Sequence, residues 1–470
     1  MPHDGDWSCL TGKVVLPSDL NYNIDRTNYN TRYTRSPAAL VFCQNVEDVQ
    51  NAVKCVSSQG IPFRVRSGRH SYEELSVMDD GLIIDVSGLT AASIDSSAAT
   101  ARVGAGLTQQ AMWNLLGADN TYAFPLGTMA SAGIAGVLQG GGIGMLTRAF
   151  GLAIDRVSSI QMVTAAGDVV EANATTNADL YWALRGSGGG NFGIITAFTL
   201  QLVSVSQVVV YALSWSADQF PSVMRYWQSW APTLRDTRLT CQLTFSSDKS
   251  LHSEGVYLGT VDELRALLQP WMAECPPLHP VRLEPMSWYM STVYFNSFDI
   301  QCDHPFKTSG AFVYQPLPDP ALAIIQEAIT SAPTGVSCDI WMQSFGGAMA
   351  SVPPTSSAFA HRRAQFILEF GGSWQDGRNA PAGQSAAQWT RSLRTALQEY
   401  TDGAYVNFVD LDLGSRSSGN FGYLSMYYGD NVARLRAVKS AWDPTHVFQF
   451  EQSIPPQADP PSIETLWPGQ

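Results

Sequence analysis

Two uncharged glycine-rich runs, Gly140-Gly141-Gly142-Ile143-Gly144 and Gly188-Gly189-Gly190-Asn191-Phe192-Gly193, follow a short turn with a single histidine, Arg66-Ser67-Gly68-Arg69-His70-Ser71-Tyr72. Glycine lets a backbone approach a flat ring closely, because no Cβ intervenes. Glycine-containing loops after strands also turn successive N–H groups toward one point, which is how phosphates are cradled. Each loop alone reads equally well as an ordinary tight turn. Their order suggests a fold that holds a large phosphorylated cofactor by its backbone and ties it down through the histidine. Residues 126–144 lack the GxxxxGK[S/T] pattern of a nucleotide-triphosphate loop. They also lack the strand, GxGxxG and acidic residue of a dinucleotide-binding βαβ unit.

At 470 residues the chain has room for two or three domains. A formal net charge of -13 argues against nucleic acid, which needs an excess of Lys and Arg, and against an anionic membrane surface. No apolar run approaches the roughly 20 residues of a membrane-spanning helix. The start, Met1-Pro2-His3-Asp4-Gly5-Asp6-Trp7, has neither the basic nor the apolar region of a signal peptide. The expected location is the cytoplasm, or outside the cell if a leader was trimmed. Cys9, Cys43, Cys55, Cys241, Cys275, Cys302 and Cys338 form no CxxC pair, so no metal site is expected and buried free thiols are the plainer reading.

Hydrophobic periodicity places a strand at 39–43 and a helix after it, with Asn45 as N-cap, Glu47 and Asp48 in the first turn and Gly60 as its stop. Strands follow at 63–66, 82–86 and 100–106, and Thr108 opens a helix through Leu116. Beyond Val208 the chain carries more Trp, Tyr and Pro, a strand at 239–245, and helical stretches at 262–268 and 321–329. Strands and helices alternate in the first part, which argues for an α/β or α+β region there. The second reads as an antiparallel sheet with helices packed on it.

The order of further motifs now points to a family. After the His70 and glycine-rich loops come Gly151-Leu152-Ala153-Ile154-Asp155, then Asp179-Leu180-Tyr181-Trp182-Ala183-Leu184-Arg185-Gly186-Ser187 leading into the second glycine run. Near the end come Ala404-Tyr405-Val406-Asn407-Phe408-Val409-Asp410, Tyr427-Tyr428-Gly429-Asp430-Asn431, Arg434-Leu435, Lys439 and Trp442-Asp443-Pro444. From about residue 15 to 456 the chain resembles the berberine-bridge-enzyme-like flavoprotein oxidases, whose FAD fold is of the vanillyl-alcohol-oxidase type. The resemblance implies an α+β fold: a two-part FAD-binding domain over 1–205 (core about 35–205), a substrate domain over 206–415, and a segment over 416–470 that returns to the first. It implies FAD as cofactor, with a small-molecule substrate and O2 as partners; the oligomeric state is left open, with a monomer as the expectation.

It also implies roles. His70 would bond the flavin 8α carbon. The residues expected around the cofactor are Arg66, Ser67, Gly68, Arg69, His70 and Ser71 in the first loop. In the second they are Gly127, Thr128, Met129, Ala132, Gly133, Gly136, Gly140, Gly141 and Gly144. Gly193, Ile194 and Asn407 complete the set. Many relatives carry a cysteine where Met129 stands, which makes a second link to the flavin; a thioether cannot, so a single covalent link is expected. A small Ala132 favours access of oxygen. Relatives read Gly at the positions of Arg69 and Glu74. Arg69 would either supply charge to the pyrophosphate or lie solvated on the surface.

Glu369, on a strand with Gln365 and Ile367 on the same face, matches the position of the general base in some relatives. A carboxyl in an apolar pocket acquires a raised pKa suited to taking a proton from an alcohol; the plainer alternative is an ion pair with Arg362 or Arg363. Tyr405 and Asn407, on a strand expected to cross over the cofactor, would orient the substrate hydroxyl. Tyr72 is a weaker candidate and His361 a structural residue. Trp288, Tyr289, Tyr294 and Phe295 are candidate stacking surfaces, though core packing is the commoner use. Secreted relatives imply a Cys9–Cys55 bridge, and Asn173-Ala174-Thr175 is a lone glycosylation sequon. The expected reaction passes hydride from an alcohol or hemiacetal of a sugar or specialised metabolite to flavin N5, and O2 becomes H2O2. The alternatives are a flavin-binding protein with little turnover, or a dehydrogenase using another acceptor.

Overall fold

In a computed structural model that describes residues 5–118, 120–296, 304–375 and 377–458, the chain builds an α+β fold around three main sheets. The first has four strands in the order Lys13–Val15, Ala39–Phe42, Leu82–Asp85 and Phe63–Arg66, the last three parallel. Five antiparallel strands make the second, in the order Ala92–Asp95, Thr100–Gly104, Ile194–Gln201, Val157–Val163 and Val169–Asn173. One core joins both sheets, and the C-terminal residues Tyr423, Tyr428, Leu435 and Phe448 pack into it.

The local signals act as their chemistry dictates. Asn45 accepts from the Asp48 N–H at 2.9 Å, and Gly60 closes Val46–Gln59 with φ 65°. The Thr108 hydroxyl caps Gln109–Gly117. A disulfide joins Cys9 to Cys55, and Cys43, Cys241, Cys275 and Cys338 are buried free thiols, while Cys302 lies outside the described residues.

The third sheet has seven antiparallel strands: Arg282–Ser287, Gln207–Trp215, Leu251–Tyr257, Leu239–Ser246, Val336–Ser344, Phe366–Trp374 and Phe306–Val313. Strand residues alternate between faces. Cys241, Leu243 and Phe245 turn to one face and bury against the helices Phe220–Trp230, Val261–Glu274, Asp319–Thr330 and Pro381–Leu397. Their neighbours Gln242, Thr244 and Ser246 turn the other way, toward a cavity. Among the described residues no helix is long and apolar enough to cross a membrane.

One expected element is absent. Tyr405 and Asn407 do not lie on a strand. After an isolated bridge between Asp402 and Phe312, the Phe408 N–H turns back to the Tyr405 carbonyl at 2.9 Å. The resemblance implied a strand here, but Asp410 is drawn into a buried ion cluster and caps the short helix Leu411–Leu413, which bends the segment.

Candidate active site

A cavity of about 680 Å³ lies between the glycine loops and the polar face of the seven-stranded sheet. Within the first loop, Ser67, Gly68, Arg69, His70 and Ser71 border it. From the second, Gly127, Thr128, Met129, Ala132, Gly133 and Gly136 do, and Gly193 and Asn407 complete that side. The two loops touch: a Cβ on Gly68 would sit 2.1 Å from the Gly133 nitrogen, so only glycine permits the approach. A Cβ on Gly136 meets nothing within 4 Å and would project into open space. This glycine side suits a large planar group approached by backbone. Among the described residues Arg64 and Arg69 are the only Lys or Arg side chains bordering the cavity, and the glycine loops add backbone N–H groups for an anion.

Five expected contacts stand elsewhere. Arg66 is buried against the Asp85 carboxylate at 2.7 Å and the Asp25 carbonyl at 2.8 Å, inside the first sheet. Gly140 and Gly141 make room for Asn407 and Tyr405, and Gly144 for the Leu126 carbonyl. Ile194 points into the core, because alternation turns its neighbours Gly193 and Ile195 to the cavity. Glycine content marked the loop without telling which glycines face the cavity and which face protein.

His70 stacks on Tyr29 with ring centroids 3.6 Å apart, and Ser131 Oγ holds its Nε2 at 2.8 Å. Burial pushes its pKa down to about 4, so the ring is neutral at physiological pH. Arg69 and Glu74 have φ 62° and 53°, in the left-handed region that favours glycine. The Arg69 side chain lies 4.0 Å from Asp85 and over the Phe42 ring at 5.9 Å, at the cavity rim.

On the opposite wall stands Glu369, enclosed by protein yet open to the cavity. Burial raises its pKa to about 8, a hydrogen bond from the Tyr72 hydroxyl opposes the rise, and the Asp339 charge adds to it. Among the described residues it forms no ion pair with Arg362 or Arg363, and Arg362 instead forms a two-pronged pair with Asp155, both bonds 2.7 Å long. Tyr72 is thus closer to the chemistry than its sequence context suggested. Tyr405 Oη accepts from the Gly142 N–H at 2.9 Å and from Asn407 Nδ2 at 3.0 Å, which leaves its own proton free to donate. Burial holds Tyr405 up at about 12 despite those two donors. His361 is structural: Tyr314 Oη and the Tyr427 carbonyl take its two nitrogens, at 2.7 and 3.0 Å.

Around Glu369 the sheet presents a polar wall that sequence reading missed. Trp341 pairs directly with Glu369 on one side and with Thr244 on the other. Gln242 Nε2 donates to Gln343 Oε1 at 3.1 Å, and His252, Glu254 and Asp339 also border the cavity. The signal was present in Leu239–Ser246, where three polar side chains at every second position make a face too polar for a core. Of the aromatic candidates only Phe295 lines the cavity; Tyr294 reaches it through Glu254 (2.7 Å), Tyr289 bonds Asn114 (3.0 Å), and Trp288 is buried.

A backbone-lined cradle facing a carboxyl-bearing wall suits a large planar cofactor set opposite an acid–base group. Residues 37–173 match the FAD binding domain family and residues 404–455 the berberine and berberine-like family. The uncharacterized FAD-linked oxidoreductase YgaK of Bacillus subtilis is 36% identical over 95% of this chain and 97% of its own. Berberine bridge enzyme-like 4 of Arabidopsis thaliana is 30% identical over 94% of this chain and 89% of its own. The solved structure of Physcomitrella patens BBE-like 1 superposes with a TM-score of 0.86 at 28% identity, covering 95% of this chain and 97% of that one. The chain belongs to the berberine-bridge-enzyme-like family of FAD-linked oxidoreductases.

Proposed function

We propose that the enzyme oxidises a CH–OH group of a small molecule, an alcohol or hemiacetal, with dioxygen as final acceptor. Bound FAD supplies a hydride acceptor at N5, and its reoxidation by O2 yields H2O2. The observation that carries the reading is the Glu369 carboxyl, set in the cavity wall across from the glycine cradle and, among the described residues, without a cationic partner. A carboxyl with a pKa near 8 is a competent base near neutral pH. Glu369 takes the hydroxyl proton of the substrate as the carbon gives up hydride. Tyr405 stays protonated across that range and donates to the substrate oxygen, with Asn407 and the Gly142 N–H fixing its oxygen. The glutamine pair and Trp341 offer hydrogen bonds and a stacking face to a hydroxylated substrate.

His70 is the single covalent tether in this reading. Ser131 holds Nε2, which leaves Nδ1 of the neutral imidazole as the nitrogen that would carry a flavin link. Met129 borders the cavity but its sulfur is already capped. Ala132 keeps the side chain small where oxygen would enter. A panel of sugars and primary alcohols, followed by flavin bleaching and peroxide release, tests the proposal. Bleaching with peroxide supports it, bleaching without peroxide removes dioxygen from it, and no bleaching by any of them refutes it.

A further inference from the structure

Lys307 takes no part in the chemistry above, yet its ammonium group is 2% exposed and holds three carboxylates at once. Glu73 and Asp410 are within hydrogen-bond distance, and Asp412 Oδ2 lies at 3.2 Å. Burial alone would push an ammonium toward neutrality, but Asp410 and Glu73 outweigh it and hold the pKa of Lys307 above its ordinary value. Arg32 and Arg391 only approach the margins, each 3.7 Å from a carboxylate, and Arg394 spends its bonds on Ser309 and Gly310.

The cluster sits where three segments meet; two of them bring wall residues of the cavity, Tyr72 and Phe408, and the third packs against Tyr72. Glu73 follows Tyr72, whose hydroxyl bonds Glu369. Lys307 follows Phe306, whose ring meets Tyr72 edge-on at 5.1 Å. Asp410 lies two residues after Phe408, whose ring is parallel to Tyr72 at 6.0 Å and edge-on to Tyr405 at 5.1 Å. Asn30 clamps the same junction, donating to the Tyr72 carbonyl at 2.6 Å and to the Phe306 carbonyl at 3.1 Å.

We propose that Lys307 is a positioning residue: its charge link between Glu73 and Asp410 sets where the Tyr72 hydroxyl and the Phe408 ring stand against Glu369. The inference rests on Glu369 being the base. The groups that act on that carboxyl are Tyr72 from the 66–72 turn and Asp339 from the adjacent strand. Tyr72 favours its ionised form, so losing Tyr72, or its position, moves the acidic limb of the pH–rate profile upward. A hydrogen bond to the charged form exceeds one to the neutral form by an amount that corresponds to about one pH unit, or about tenfold in rate at pH 7.

Anaerobic flavin reduction by substrate, followed against pH in the holoenzyme, tests this with Tyr72→Phe, Lys307→Met, their double variant, Lys307→Arg and Glu73→Gln. Y72F and K307M should shift the limb upward by similar amounts, the double variant should shift no further, and K307R should return part of the way. E73Q discriminates most sharply and still decides if K307M does not fold. It removes a negative charge, so through-space electrostatics alone would move the limb down, whereas loss of position moves it up. A folded K307M with the wild-type limb, additive shifts in the double variant, or a downward shift in E73Q overturns the inference. If Y72F itself leaves the limb in place, the reading of Glu369 and Tyr72 as the base pair fails instead.

Discussion

Replacing Glu369 by glutamine keeps the shape of the side chain and removes its ability to take a proton. With a pKa of about 8, about a tenth of the wild-type carboxyl is ionised at pH 7 and about a hundredth at pH 6. The wild-type reduction rate should therefore climb close to tenfold per pH unit up to pH 8 and level off above about 9. E369Q should lose about 10²- to 10⁴-fold at the plateau, the usual worth of a general base, and should lose the climb as well. The same carboxyl has an opposite effect on stability. Its folded pKa stands above its unfolded value, so ionisation penalises the fold, from nothing near pH 4 to the full amount above pH 8. A fully dry site would put that at about 5 kcal/mol; the opening to the cavity lowers it to about 1–2 kcal/mol. E369Q should then match wild type in unfolding free energy at pH 4–5 and exceed it at pH 9. Stopped-flow reduction at saturating substrate and urea unfolding at the two pH values check the two halves. A variant that keeps the tenfold climb, or a wild-type limb centred below pH 6, refutes the assignment.

Two other expectations follow from backbone and charge. At position 69, where φ is 62°, glycine should be more stable than alanine by about 1 kcal/mol, because only glycine adopts that conformation without strain; thermal unfolding of R69G against R69A reads it, and equal stability contradicts it. Asp155→Ala should cost about 3 kcal/mol in urea unfolding, since it leaves the fully buried Arg362 guanidinium without its two-pronged partner; a cost under 1 kcal/mol would mean that Ser357 and the surroundings suffice for that charge.

Local signals were legible where a single residue decides the outcome. Asn45, Gly60 and Thr108 begin or end helices by their own hydrogen bonds or dihedral angles, and neighbours far along the chain do not change that. The 404–410 segment was misread because its course depends on a distant partner. Asp410 bonds Lys307, 103 residues away, and the sequence of the segment itself carries no trace of it. Tyr72 was undervalued for the same reason: its bond to Glu369 joins the first loop to the third sheet. The polar wall was legible in principle, from Gln242, Thr244 and Ser246 on one strand face, but its depth depends on register with Glu254, Gln343 and Trp341. Positive φ at Arg69 and Glu74 means that this chain holds two larger residues in a backbone shape that favours glycine.

The tether at His70 is tested most directly by digesting the acid-precipitated holoenzyme and weighing the peptide that contains Arg69-His70-Ser71. The account predicts that the protein stays yellow on precipitation, that this peptide carries the mass of one flavin cofactor, and that no peptide containing Met129 does. It further predicts that His70→Ala releases its colour to the supernatant. An unmodified His70 peptide with all flavin in the supernatant of the wild-type protein would contradict it.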